Sequence, residues 1–528
     1  MEEKNSKTTM NMDLTPLIRP YFVKIARRTD CWGDSGKDVQ LAQLRSLLSR
    51  ASGCEVGRRY GFSELAKMKN PYAGFCQRVP MCEYEQLRAD VMRMIRGEKD
   101  VLWRGRCRNF AQSSGTSGGK SKYIPVTEDS LRRCHYKGAA DSVAHYLRAN
   151  PHSRLFSGKG LVLGGSFANE LHLDSGSARV GDLSATLIDR INPLANLFRV
   201  PDKRTALLSD WSVKLPALVA ASKDAHVTNI SGVPSWFLTV AKEIIKARGV
   251  ETLSEAWPDL EVFFHGGISF EPYREEYRRL TDSSKMHFLE NYNASEGFFA
   301  VQNNLEDESM LLTIDNDIFY EFIKVGADDA LPVPLWELEK GAVYEMLISS
   351  SNGLWRYHTG DTVRVYEVSP VKIKVAGRTR CFINAFGEEL MEENAERAIS
   401  AVCSQTGASV VNYTAAPVFA EGNRKGRHQW LVEWGKRPAD TLRFSMLLDE
   451  ELRRLNSDYD AKRTGTIFLD PPEIVDIPAG VFNSWLHSVG NGKLGGQRKV
   501  PRLSNDRKIA DAVLGILCRL DFSDLEKQ

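Results

Sequence analysis

Apolar residues recur at three- and four-residue spacing through the first hundred positions, as in "DVQLAQLRSLLSRA" and "MCEYEQLRADVMRMIRG". That period predicts amphipathic helices. Further along, the pattern shortens to apolar runs of strand length: "GLVLGGS", "HVTNISG", "LEVFFHGG", "KMHFLENYNAS", "IFYEFI" and "AVYEMLISS". Helical periodicity returns between several of them, most clearly in "VPSWFLTVAKEIIKARG". Strands alternating with helices predict an α/β domain on a mainly parallel sheet.

The rhythm changes near residue 379. A helical pattern, "MEENAERAISAVCSQTG", leads into two strand patterns, "ASVVNYTAA" and "HQWLVEWG", with the polar "EGNRKGR" between them as a hairpin loop. A second helix, "DTLRFSMLLDEELRRLNSDYDAKR", and a strand, "GTIFLD", follow. The expected organisation is a large N-terminal α/β domain over residues 1–378 and a smaller α+β domain over 379–528. About 150 residues is a common domain size.

Composition narrows the possibilities. The 528 residues are 42% hydrophobic and 26% charged, enough for a substantial core. Lys and Arg total 70 against 68 Asp and Glu, so the formal charge is only +2. That balance argues against a nucleic-acid or membrane-surface binder, while leaving room for a local basic cluster on a small anion. No apolar run is long enough to span a membrane, and the N-terminus lacks a secretory pattern. Nine cysteines are scattered with no C-x-x-C pair, so neither zinc spacing nor a disulfide framework is visible. A reducing cytoplasm and a monomer are the expectation.

The least core-like stretch is "QSSGTSGGKSKY", residues 112–123. Consecutive Gly and Ser can turn successive N–H groups towards one point and make a nest for phosphate oxygens. The hydroxyls of Ser113, Ser114, Thr116 and Ser117 and the charges of Lys120 and Lys122 would add to it. A Walker A loop fails by one residue, because its first Gly would fall on Ser114. As a bare pattern such a run is a flexible linker more often than a phosphate loop. Two further stretches bear on the choice. "NYNASEG" places Tyr292, Ser295 and Glu296 at the end of a strand, and "LWRYHTGDTVRV" places Gly360 and Asp361 at a turn between strands. A Tyr can stack on a base, and a carboxylate can hold Mg²⁺ together with substrate phosphates. An Asp can accept both hydroxyls of a ribose. Singly, each is more often an ordinary core Tyr, solvated Glu or turn.

In this order, the Ser/Thr/Gly loop, Tyr-x-x-Ser-Glu and Tyr-x-x-Gly-Asp resemble the motifs of the acyl-adenylate-forming superfamily. The closest resemblance is to the auxin-responsive Gretchen Hagen family of acyl acid amido synthetases, including its bacterial members. It runs over most of the chain, through "GDLSATLIDR", "VPDKRTALLSDW", "GVPSWFLTVAK", "FFHGGISFEPY", "GRTRCFINAFGEEL" and "GGQRKVPR". It implies an ATP-dependent ligase that joins a carboxylic acid to an amino acid. Ser113, Ser114, Gly115, Thr116, Ser117, Gly118 and Lys122 would hold the β- and γ-phosphates of ATP. Tyr292 would lie against adenine, Ser295 near the α-phosphate, and Glu296 on Mg²⁺. Asp361, helped by Arg378, would take the ribose hydroxyls. "HGGIS", with Gly266 and Gly267, would form the wall between adenine and acyl substrate. Lys499 would arrive from the smaller, mobile domain, hinged near Arg378 to Cys381, to act at the reacting centre.

This chain departs from the family pattern at Ala294, where a second serine is usual, and at His358, where an arginine is usual. The departure at His358 leaves open which residue supports Asp361. The nearest alternative is an acyl-CoA ligase, which shares the first half-reaction but usually ends in Gly-Lys-Ile rather than "RKVPR". A protein that binds a nucleotide without catalysis is the other. Glu296 and Lys499, typically lost in degenerate relatives, are both present.

Overall fold

A computed structural model describes residues 12–113, 122–167, 171, 178–267, 270–282, 284–326, 331–378, 382–383, 385, 388, 390–418, 426–456, 459–460, 463, 469–489, 499–504 and 506–525. In chain order its strands are β1 (Asn109–Ser113), β2 (Lys122–Val126), β3 (Lys159–Val162), β4 (Arg179–Gly181), β5 (Arg199–Val200), β6 (Val227–Gly232), β7 (Val262–Gly266), β8 (His287–Ala294), β9 (Gly297–Gln302) and β10 (Met310–Leu312). They continue as β11 (Ile318–Lys324), β12 (Val333–Pro334), β13 (Val343–Ser350), β14 (Tyr357–Val368), β15 (Val371–Arg378), β16 (Phe382–Ile383), β17 (Leu390–Met391), β18 (Ser409–Val418), β19 (Arg427–Lys436) and β20 (Glu473–Ile477).

The large domain is organised around one twelve-stranded sheet in the order β12-β11-β13-β14-β15-β10-β9-β8-β7-β6-β3-β5. From β8 to β5 its pairings are parallel. From β8 to β12 they are antiparallel. The expectation of a mainly parallel sheet therefore holds for one half only. The reason lies in the connections. Parallel neighbours need a crossover, and the helices Pro234–Arg248 and Arg274–Leu280 supply it between β6 and β7 and between β7 and β8. Past β8 the links shrink to hairpins: Ala294 pairs with Gly297, and Val368 with Val371. Two intervening residues can only reverse the chain.

Among the described residues three large apolar clusters pack around this sheet, beside a smaller one of Tyr146, Phe264 and Leu289. One surrounds Phe299, Leu312, Ile348 and Val363. A second joins the N-terminal helices to the sheet through Leu44, Phe75, Trp103 and Trp355. The third, of Phe237, Ile244, Phe263 and Tyr277, lies against the parallel strands. The Arg356 guanidinium fixes the second cluster to the start of β14, donating to both oxygens of buried Glu321 at 2.9 Å and to the Val79 carbonyl at 2.9 Å.

In the small domain, helices Glu392–Thr406 and Thr441–Leu455 pack on β18, β19 and β20 through Ile399, Tyr413, Trp430, Phe444 and Leu448. Local chemistry sets the helix ends. Gly249 and Gly407 stop their helices in the left-handed conformation, at φ 66° and 65°. Asp440 caps Thr441–Leu455 by accepting from the Arg443 N–H. That helix closes at an extended Asn456, earlier than the expected 463. The loop 421–425 and residues 465–468 of the last expected strand lie outside the described residues.

Candidate active site

At the carboxyl end of β8 the chain turns through Ser295 and Glu296 and returns as β9. Here the sheet changes from parallel to antiparallel. The carboxyl ends of parallel strands are where α/β sheets leave a crevice for ligands. Ser295 is half-buried and Glu296 buried, and the Asn352 amide donates to the Glu296 carbonyl at 2.8 Å.

The Tyr292 hydroxyl, buried on β8, donates to Asp361 Oδ2 at 2.5 Å. Three strands, β9, β10 and β15, stand between β8 and β14. A flat sheet would hold the two roughly 19 Å apart, so the sheet curls to bring them together.

Asp361 is not at a turn, as the sequence suggested, but inside β14. Glu345 pairs with Thr362 and Leu347 with His358, so Thr359, Gly360 and Asp361 bulge opposite Met346 alone. Gly360 takes φ 76°, a conformation glycine adopts without strain. The Thr359 hydroxyl donates to the Met346 carbonyl at 2.7 Å and accepts the Asp361 N–H at 3.1 Å. Bulges beside active sites re-aim side chains in this way. Arg378 stands directly opposite Asp361 in the β14–β15 register. His358 does not replace the family's arginine at Asp361. Its Nδ1 is 2.8 Å from Glu345 Oε1.

Gly266 and Gly267 close the other side. A methyl group on Gly266 would lie 2.2 Å from the Asn291 carbonyl, next to Tyr292, so no side chain fits. Gly267 takes φ 85°, and a methyl group there would come within 3.4 Å of Lys499 Nζ. The small domain thus delivers Lys499 to the glycine pair. Behind them His265 stacks on Phe270, with ring centroids 4.2 Å apart. Burial, aided by Arg274, pushes its imidazole down to about 3, so the ring is neutral.

Ser113 and Lys122 pair across the β1–β2 hairpin, which makes the Gly/Ser run its connection. Ser114, Gly115, Thr116, Ser117 and Gly118 lie outside the described residues. The Tyr84 hydroxyl accepts the Tyr123 N–H at 2.7 Å and pins the base of that hairpin.

Sequence reasoning missed Tyr84, Asn352, Thr359 and the hydroxyl of Tyr357. The last is fully buried with no hydrogen-bond partner. Burial, then the neighbouring Glu296 charge, raises its pKa well above the ordinary value. Its signal was in plain view, since Tyr357 opens the Tyr-x-x-Gly-Asp motif. Nothing in the sequence marks Asn352.

Among the described residues no three His, Cys, Asp or Glu side chains converge as metal ligands. One carboxylate fits Mg²⁺, which is commonly held by one or two carboxylates plus substrate phosphates. Glu296, with the orphaned Tyr357 hydroxyl nearby and a glycine wall that admits no side chain, suits a metal–triphosphate rather than a metal cage.

Three family models match this chain: the GH3 family N-terminal domain at 33–286, central domain at 311–378 and C-terminal domain at 393–508. The chain is 24% identical over 580 aligned positions to indole-3-acetic acid-amido synthetase GH3.4 of Arabidopsis thaliana, covering 94% of this chain and 92% of the relative. Among solved structures it is similar to GH3.15 acyl acid amido synthetase, with a TM-score of 0.73 at 18% identity over 93% of this chain and 95% of the other. It also shares the fold of a 2-hydroxyisobutyryl-CoA ligase in the postadenylation state, with a TM-score of 0.57 at 12% identity over 91% of each chain. The matched segments take in Gly266 and Gly267, the Asp361 bulge and Lys499, and by them this chain belongs to the GH3 family.

Proposed function

We propose that this protein is an ATP-dependent acyl acid amido synthetase. It activates a carboxylic acid as an acyl-adenylate with loss of pyrophosphate, then passes the acyl group to an amino acid and releases AMP. One observation carries the reading: Lys499, from the small domain, reaches Gly267, whose neighbour Gly266 abuts Asn291, next to the Tyr292 that bonds Asp361.

In this reading the large domain ends at residue 378 and the small, mobile one begins at 379. Ser113 to Gly118 and Lys122 hold the β- and γ-phosphates. Tyr292 lies against adenine, Ser295 faces the α-phosphate, and Asp361 with Arg378 takes the ribose hydroxyls. Gly266 and Gly267 separate adenine from the acyl substrate. Glu296 would hold Mg²⁺, which when bound neutralises the triphosphate. The nucleophile is the substrate's own carboxylate, so the protein positions reactants and stabilises charge rather than supplying an attacking group. Lys499 places its ammonium where negative charge builds as the acid meets the α-phosphate. The same reading makes the enzyme a cytoplasmic monomer; among the described residues no helix is long and apolar enough to cross a membrane.

The test is release of AMP and pyrophosphate from Mg-ATP with a panel of carboxylic acids, including the indole-3-acetic acid named for the plant relatives. Parallel reactions receive mixed amino acids, coenzyme A or no acceptor. AMP release stimulated by amino acids and not by coenzyme A is expected. Stimulation by coenzyme A alone would move the enzyme to thioester formation. Glu296→Gln should abolish Mg²⁺-dependent adenylation while the fold is retained, and undiminished AMP formation would remove Glu296 from the metal.

A further inference from the structure

The segment that brings Lys499 to the glycine wall is tied to the large domain a second time, three residues later. Arg502 is buried, with its Nε 3.1 Å from Glu396 Oε1 in the small domain. Its guanidinium lies 4.6 Å from the centre of the Tyr413 ring, and Nη1 donates to the Tyr413 carbonyl at 3.4 Å. Those three contacts belong to the small domain and travel with it. The fourth does not. Nη2 faces the hydroxyl of Tyr273, in the large domain, at 3.4 Å. That hydroxyl donates in turn to the Val411 carbonyl of β18 at 3.2 Å. Tyr273 is only 3% exposed and follows Gly267 by six residues. One short stretch of the large domain, 267 to 273, therefore meets one short stretch of the small domain, 499 to 502, at both ends.

We propose that Tyr273 is a positioning residue for the first half-reaction: its hydroxyl, shared between Val411 and Arg502, latches the small domain where Lys499 stands over Gly267. This rests on the reading of Lys499 as the adenylating lysine. The chemistry suits a contact that must also open. The buried charge pair of Arg502 and Glu396 stays intact when the domains part, so neither of these two ions loses its partner, a loss that is costly in a protein interior. At this contact the bonds that cross the boundary are hydrogen bonds to a neutral hydroxyl; elsewhere the Ser400 hydroxyl donates to the Glu271 carbonyl at 3.5 Å and Arg364 lies 3.6 Å from Glu393. Each hydrogen bond of the Tyr273 hydroxyl is worth little net, because water replaces it when the contact opens.

The latch is tested by the distribution of domain arrangements. Fluorophores go on cysteines placed at exposed Val368 of the large domain and exposed Leu442 of the small domain, with exposed Cys31 and Cys518 changed to Ser. Energy transfer in the full chain is read with and without Mg-ATP. Tyr273→Phe keeps the ring and removes the hydroxyl. It should lower the equilibrium constant for the lysine-in arrangement about fivefold, at an unchanged melting temperature. Arg502→Lys keeps the charge beside Glu396 but loses the second nitrogen that faces Tyr273, and should shift the distribution in the same direction. A distribution unmoved by Tyr273→Phe overturns the latch. The two readings fail separately. A chain that makes no AMP from any acid, yet shifts on Tyr273→Phe, loses the proposed function and keeps the latch. AMP formation without a shift does the reverse.

Discussion

The bond between Tyr292 and Asp361 links two residues whose motifs were legible in the sequence and whose contact was not. Each sits in a motif that can be read along the chain, but 69 positions and three strands divide them, and only the curl of the sheet joins them. Asp361 is held in place by that hydroxyl, by Thr359 and by the bulge around Gly360. Removing the hydroxyl by Tyr292→Phe forfeits a hydrogen bond to a charged group, about 1.5–3 kcal/mol. The KM for ATP should rise about tenfold or more, with a smaller effect on kcat. A Tyr292→Phe variant with unchanged KM would mean that Asp361 is oriented without it. The bulge itself had a visible mark, since an isolated glycine within a strand pattern is a recognised sign of one. Reading "TGD" as a turn overlooked that the β pattern resumes immediately in "TVRV".

Elements were legible where their punctuation was strong. The helices read at 233–249 and 391–407 form over Pro234–Arg248 and Glu392–Thr406, because a proline opens the first and glycines close both. Strand direction was harder, because an apolar run buried on both faces looks the same whichever way its neighbour points. Link length carries that information, and the two-residue spans at 295–296 and 369–370 gave it. One helix holds a consequence for pH. His145, within Tyr136–Ala149, is buried with neither ring nitrogen hydrogen-bonded. Burial first, then the charges of Arg148 and Arg28, push it down to about 4. An unfolded histidine titrates near 6.5, so the unfolded chain binds this proton more readily than the folded one. Stability from this site is full above about pH 6.5 and is lost as the pH falls towards 4, by about 1.4 kcal/mol per pH unit. His145→Gln should flatten the acid side of a plot of denaturant midpoint against pH. Identical slopes in the two proteins would show that His145 is free to protonate in the folded state.

For the whole molecule, the sequence marked a change of rhythm near 379 but carried no trace of how the two parts meet. Lys499 was assigned by likeness to a family motif, and only the fold brings its ammonium to Gly267, 232 positions away. Lys499 is exposed, so Lys499→Ala should leave the melting temperature unchanged while adenylation slows about 10²–10³-fold. Pyrophosphate release at the normal rate would move the reacting centre away from this lysine. The sheet that receives it is divided in its manner of connection, with crossover helices on one side of β8 and, on the other, antiparallel links that include two-residue hairpins after β8 and β14. Crossovers can lengthen, shorten or change composition without altering which strands pair, whereas a two-residue hairpin has no slack. Lineages descended from such a design are free to experiment on one flank and are held to their inheritance on the other. Diversity in what is accepted should therefore gather along the crossover flank, and constancy in what is spent to accept it along the hairpins.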